Sequence, residues 1–318
     1  MKHLTNFTVK SVAEFVNVLS LLRDYYRQRN EYTGEQFSLF YRGQANASWE
    51  LVPNLFRKVF PSFRYKKDAR FSELENGKAK LFSALLKEEA RKSDSSYFNC
   101  EVEIIAALRN KYPKLITPDM DNLDVLTFLQ HLGGKTRLLD ITSNALVALY
   151  FATSTESRNN GIVFAIPVMR GELNASLIDR AKLNLLSNPQ IYRSRDLKSA
   201  NKKFHCNLKG KDLKPIIVPP RHVTQRQGRQ AGCFFLFPNK FEKGGFLPSP
   251  SRLENALITR IIVKAIAKKR IQSELDWFFG LREQTLFPDD MTVAARDVID
   301  QFTHVIKDDT GYLVGEQP

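Results

Sequence analysis

Cysteine is scarce in this chain of 318 residues. Only Cys100, Cys206 and Cys233 occur. They are odd in number and far apart, so they offer neither a disulfide framework nor a closely spaced metal-binding pair, and a reducing compartment is expected. The opening residues, MKHLTNFTVKSVAEF, lack the apolar region of a secretory signal. Apolar runs such as ALVALYFA, which begins at Ala145, fall well short of the roughly 20 residues that span a bilayer. These absences predict a soluble, cytoplasmic protein with no membrane partner.

Several signatures of common chemistry are also missing. No GxxxxGK phosphate loop, GxGxxG dinucleotide fingerprint, HExxH pair or GxSxG elbow is present. Neither zinc-finger spacing nor an internal repeat nor a heptad array occurs. The five histidines, His3, His131, His205, His222 and His304, are scattered. His205 beside Cys206 is not a metal signature, and no metal is expected.

What the chain has in excess is positive charge. Its 48 Lys and Arg against 34 Asp and Glu give a formal +14. That sum favours anionic partners: nucleic acid, nucleotides, polyphosphate or an acidic protein. Lysines spread over a solvated face would give the same total. An apolar fraction of 43%, with 23 phenylalanines, is ample for a large core.

The periodicities alternate between helix and strand. SVAEFVNVLSLLRDYYR (11–27) reads as an amphipathic helix capped by Ser11, with Glu14 three residues on. FSLFYRGQ (37–44) has strand character. Helices are expected over about 71–93 and 100–112, the latter with Ile104, Ala107 and Leu108 on one face. Another ends near Gly133. ALVALYFAT forms a helix capped by Ser143 or Asn144. GIVFAIPV (161–168), PIIVPP, CFFLF and the run Ile258 to Val263 read as strands. Residues 170–215 read as loose and polar, with KSANKKFHCNLKGKDLK a basic loop or small insertion. KKRIQSELDWFFGL reads as a helix, and a final helix is capped near Asp289 or Thr292. The mixture predicts an α+β fold with a mixed sheet core, an N-terminal helix and inserted helices.

Three polar clusters interrupt this apolar order. In YRGQ, Arg42 ends a strand. Its fork either grips phosphate or carboxylate bidentately or closes the strand end with a salt bridge. Gly43 permits close approach there, and Gln44 adds an amide. In HLGGKTRLLDITSN, His131 sits at a helix C-terminus, where the dipole favours a charged imidazole. Thr136 offers a hydroxyl and Arg137 a second fork. Asp140 returns to the polar side. Thr142 and Asn144 stand where the next helix begins, and its free amides suit an anion. The same residues also suit a capping network at a strand–helix junction. In RHVTQRQGRQAG, Arg221, Arg226 and Arg229 alternate with glutamines, lining either a cleft or a solvated loop.

Together these clusters resemble the FRG domain, a family named for a Phe/Tyr-Arg-Gly motif. The motif stands here as YRGQ, Tyr41 to Gln44. A central QHxGxxTRLLDxT pattern reads QHLGGKTRLLDIT, Gln130 to Thr142, and is followed by NALVALYFA. A later RxxxQxG element aligns Arg226, Gln230 and Gly232 ahead of Phe234. LFPDD (286–290) resembles a C-terminal Phe-Pro-Asp element. The similarity spans about 37–295, which implies an N-terminal helical extension (1–36), an FRG domain (37–295) and a C-terminal helix and tail (296–318).

The layout also looks like ADP-ribosyltransferases, and that resemblance implies an NAD-using site. Arg42 would grip the pyrophosphate or a ribose, with Gly43, Gln44, Thr136, Arg137, Asn144 and Arg226 lining the cofactor. Thr142 or Asp140 would orient the nicotinamide ribose, and His131 would serve as hydroxyl partner or proton acceptor. Such enzymes use a late glutamate against the positive ribosyl centre. Gln230 is nearest to it by pattern and is neutral, while Glu254 and Asp289 are carboxylates elsewhere. The implied activity is ADP-ribosyl transfer or NAD hydrolysis. The alternative is a non-catalytic nucleotide- or nucleic-acid-binding module, in a setting such as prokaryotic defence. Either reading requires Arg42, His131 and the Arg137–Asp140–Thr142 group to open into one pocket.

Overall fold

A computed structural model describes residues 6–49, 51–56, 96–114, 116–131, 134–155, 157–170, 180–188, 194–209, 215–218, 228–238, 240–242, 245–247 and 258–287. Seven strands form one mixed sheet in the order β1-β9-β4-β2-β3-β6-β5. They are β1 (Asn6–Val9), β2 (Phe37–Gln44), β3 (Leu138–Thr142), β4 (Gly161–Met169), β5 (Ile216–Val218), β6 (Gly232–Leu236) and β9 (Thr259–Val263). A separate hairpin pairs β7 (Lys240–Glu242) with β8 (Gly245–Leu247). Only β1 with β9 is parallel; the other neighbours are antiparallel.

The helices are α1 (Val12–Thr33), α2 (Ser96–Lys111), α3 (Asn122–His131), α4 (Ala145–Thr153), α5 (Arg180–Leu186), α6 (Ser194–Lys203), α7 (Lys268–Phe279) and α8 (Glu283–Leu286). Ser11 caps α1 by accepting from the Glu14 amide. Glu14 does not close a full capping box, because its carboxylate takes the Lys10 N–H instead. Gly34, at φ 70°, ends the helix in the left-handed region that suits glycine.

Residues 6–33, read from sequence as part of an N-terminal helical extension, contribute a strand as well as a helix. β1 is an edge of the main sheet. Phe15 and Leu22 of α1 are fully buried in a cluster with Val163 and Ile261. The described residues of 170–215 are likewise more ordered than their composition suggests. It holds α5 and α6, so Lys198 to Lys203 lie on a helix rather than in a basic loop. Leu197 and Ala200 are the buried members of α6. Two apolar positions in a Lys-, Arg- and Asn-rich run give little periodic signal. The expected helices at 71–93 and at the C-terminus lie outside the described residues.

Two helical groups cover the same face of the sheet. α1, α4 and α7 pack over β9, β4 and β2. α2, α3, α5 and α6 pack over β3, β6 and β5. The opposite face carries Leu139, Ile141, Phe164 and Ile166, closed by Val52 and Leu55 from the loop after β2. Between the two groups the sheet splits. β2 meets β3 at a single pair, Tyr41 with Thr142, while β2 and β4 run together for eight. No helix among the described residues is long and apolar enough to cross a membrane.

Candidate functional site

The split between β2 and β3 brings together Arg42, Asp140 and Thr136 of the polar residues singled out by sequence. Arg42 neighbours Phe164 across β4, which places it on the face opposite the helices. Asp140 neighbours Phe234, whose ring belongs to the helical face. A closed ladder would keep these two side chains apart. Here the strands diverge, and Arg42 Nη1 donates to the Asp140 main-chain carbonyl at 2.6 Å. The same nitrogen lies 3.6 Å from Asp140 Oδ2. The Arg42 side chain is 12% exposed and that of Asp140 is 56% exposed, so the pair runs from the interior to an open carboxylate. Burial lowers the pKa of the Arg42 guanidinium from its ordinary value, and the charge of Asp140 opposes that shift. Arg42 Nε is buried and has no hydrogen-bond partner among the described residues.

The end of α3 completes the group. Gln130 Nε2 donates to Asp140 Oδ2 at 2.8 Å. Gln130 Oε1 accepts from the Thr136 hydroxyl at 2.5 Å, and that hydroxyl accepts from the Leu138 amide at 3.1 Å. His131 is the last residue of α3; its side chain lies outside the described set, as does Arg226.

Other expected ligand groups are committed to the fold. Arg137 is fully buried. Its Nε donates to Glu101 Oε2 at 2.8 Å, its Nη2 donates to the same oxygen, and its amide reaches Glu101 Oε1 at 3.3 Å. The expected second fork therefore pins α2 against the start of β3 and presents no charge to solvent. Thr142 is buried too: its hydroxyl donates to the Gln230 carbonyl at 2.7 Å and accepts from the Asn144 amide at 2.9 Å. Asn144 caps α4, its Oδ1 accepting from Leu146 and Val147. Gln230 Nε2 donates to the Leu286 carbonyl at 3.0 Å. Gln44 is buried at the end of β2.

Gly43 does answer a close approach, but from a helix rather than a ligand. A Cβ placed there would stand 1.7 Å from the Ala148 carbonyl oxygen. One strand away, a Cβ on Gly161 would stand 2.0 Å from the carbonyl oxygen of Ala152. Two glycines under two alanines one turn apart let α4 sit directly on the sheet, with its N-terminus beside the split.

Cys233 pairs with Ile141 in the register and is buried. Burial, and then the charge of Asp140, push its thiol up to about 12.

Three contributors escaped the sequence reading. Gln130 stood beside His131 in the same motif and was passed over. Glu101 was detectable: it shares a stripe with the buried Ile104, Ile105 and Leu108, and a carboxylate on such a stripe signals a buried cation. Lys268 is the parallel case. It shares a stripe with the buried Ile271 and Leu275, and its Nζ donates to the Ala45 and Thr155 carbonyls at 2.6 and 2.9 Å. It thereby ties the exit of β2 to the exit of α4.

Comparison with known families agrees with the motif reading over this region. The FRG domain model matches residues 38–161. That stretch contains β2 from Ser38 onward, the Gln130–Thr136–Asp140 group, α4 and the first residue of β4. The later RxxxQxG and LFPDD elements lie beyond the matched residues. No curated protein and no solved structure matches the chain.

Proposed function

We propose that the split between β2 and β3 is a nucleotide site whose ligand is NAD, and that the protein transfers or hydrolyses the ADP-ribosyl group. The observation that carries the reading is the Arg42–Asp140 pair. A nearly buried guanidinium stands beside an exposed carboxylate. A guanidinium fork suits a phosphate oxygen. An acceptor-only carboxylate suits a ribose hydroxyl. NAD carries both groups.

In this reading Arg42 holds the pyrophosphate by charge, and Asp140 fixes a ribose hydroxyl through its outer oxygen. The N-terminus of α4 adds partial positive charge nearby. When bound, NAD supplies the labile bond between nicotinamide and ribose. Asp140 also supplies the negative charge that cleavage of that bond calls for. The mixed sheet with a split beside the Arg42 strand is in keeping with an ADP-ribosyltransferase-like arrangement. Arg137, Thr142 and Gln230 act one step back, holding the strands that bear Arg42 and Asp140.

A second reading has its own support. Gln230, nearest by pattern to the late glutamate of transferases, is neutral and donates its amide to the Leu286 carbonyl. A site lacking that carboxylate suits a module that binds a nucleotide or nucleic acid without cleaving it, in line with the formal charge of +14.

Following nicotinamide release from NAD, with calorimetry on the same samples, separates the two. Release by the native chain and none by Asp140→Asn supports the enzyme. Binding without release supports the module, and neither binding nor release removes NAD as the ligand.

A further inference from the structure

We infer that Gln130 is a positioning residue whose amide is locked in one direction by Thr136, so that Asp140 is held by one oxygen and presents the other to the ligand. The inference rests on the nucleotide reading of the site and deepens it. It begins with the hydroxyl of Thr136, on a side chain fully buried ahead of β3. The Leu138 N–H donates to Thr136 Oγ1 at 3.1 Å. A hydroxyl owns one proton, and Thr136 gives it to Gln130 Oε1 at 2.5 Å. That contact leaves the Gln130 Nε2 end facing Asp140 Oδ2, at 2.8 Å.

The opposite amide orientation fails at both ends. It would set Gln130 Oε1 against a carboxylate that can only accept, and it would leave the Thr136 proton facing an NH2 group. The direction is therefore fixed from a buried backbone amide outward: Leu138 N–H to Thr136, Thr136 to Gln130, Gln130 to Asp140. Arg42 holds the same residue from the other side, by its carbonyl. With Oδ2 occupied by Gln130 and close to Arg42, Oδ1 is the oxygen left for an incoming hydroxyl. A carboxylate free to rotate would lose that preorganisation on binding.

The relay also gives α3 a role in the site. Gln130 lies in its last turn, so the register of that helix against β3 sets where Asp140 points. Thr136 lies just before β3 and Asp140 in its middle, and among the described residues the glutamine bridges them.

The test uses the full chain with 15N-labelled glutamine side chains and NAD as the probe. Without ligand, the Gln130 amide should show one downfield, slowly exchanging proton. That signature should disappear in Asp140→Ala and in Thr136→Val but persist in Thr136→Ser. NAD affinity should fall about tenfold in Thr136→Val and in Gln130→Met, as expected for losing an oriented bond to a charged group. It should return to within about twofold of native in Thr136→Ser. If Thr136→Val fails to fold because Leu138 N–H is left bare, Gln130→Met alone decides, since it removes the relay at the helix end. Native-like affinity in Gln130→Met, or an amide signal indifferent to Thr136→Val, overturns the inference. A native relay signature in a chain that binds no NAD upholds the relay and removes the nucleotide reading, so the two failures are distinct.

Discussion

The carbonyl oxygen of Ala148 occupies the space where Gly43 would carry a side chain. The same holds for Ala152 over Gly161. Backbone sits against backbone here, so neither partner can swing aside as a flexible side chain would. Gly43→Ala and Gly161→Ala should each lift α4 from the sheet and cost at least about 3 kcal/mol, at the upper end for overpacking. Urea unfolding monitored by circular dichroism measures this. A loss under about 1 kcal/mol in both variants would show that the helix is not seated as described.

Removing Arg42 should affect stability as well as binding. Arg42→Ala leaves the Asp140 carbonyl without its donor, and the cost should be about 1–3 kcal/mol. Arg42→Lys should recover part of the stability through charge and reach, yet bind NAD more weakly than native, because an ammonium cannot serve a carbonyl and a phosphate as a fork does. Comparing denaturation midpoints with NAD titrations separates the effects. Full stability in Arg42→Ala would show that the contact across the split contributes nothing.

The Glu101–Arg137 pair should display the asymmetry of buried ions. Arg137→Met strands a carboxylate with no exposed surface and should cost about 3–5 kcal/mol. The double variant Glu101→Leu with Arg137→Met removes both charges and should regain most of that loss. A double-mutant cycle in urea reports the difference. Equal destabilisation by the single and double changes would mean that the pair acts by shape rather than charge.

Alkaline pH should weaken the fold through Cys233. Its folded pKa, about 12, stands above the ordinary 9.0. Below about pH 9 the thiol is protonated in both states and its contribution is intact. Between about 9 and 12 the unfolded chain releases the proton while the folded chain keeps it, so stability falls as pH rises. Cys233→Ala should flatten the decline across that window relative to the native chain. Identical slopes would remove the thiol as a cause.

Strands and helices with strong periodicity were legible in advance. β2 was read at 37–44 and β4 at 161–168, because their apolar or alternating runs leave no competing period. Ser143 or Asn144 was expected as a cap from its place before an apolar run, and Asn144 is the one. β1 was missed because four residues are too few to show alternation. The site was legible as residue types and illegible as directions. Sequence marked Arg42, Arg137 and Asp140 as a polar set, but the two arginines differ only in what surrounds them. Arg42 lies in a gap between strands, and Arg137 faces a glutamate 36 positions away. Long-range pairing decides between a ligand fork and an internal clasp, and spacing along the chain does not contain it.

The Val12 amide donates to Glu274, 262 positions later, and β1 beside it pairs with β9. On a ribosome adding roughly 5–20 residues per second, the first strand would wait on the order of ten to fifty seconds for its partner to emerge. Until then β1 has no neighbouring strand in the sheet, whereas β2 and β4 are both available to pair. β1 is thus made well before the strand it pairs with, and its place in the sheet waits on a segment about 250 residues downstream.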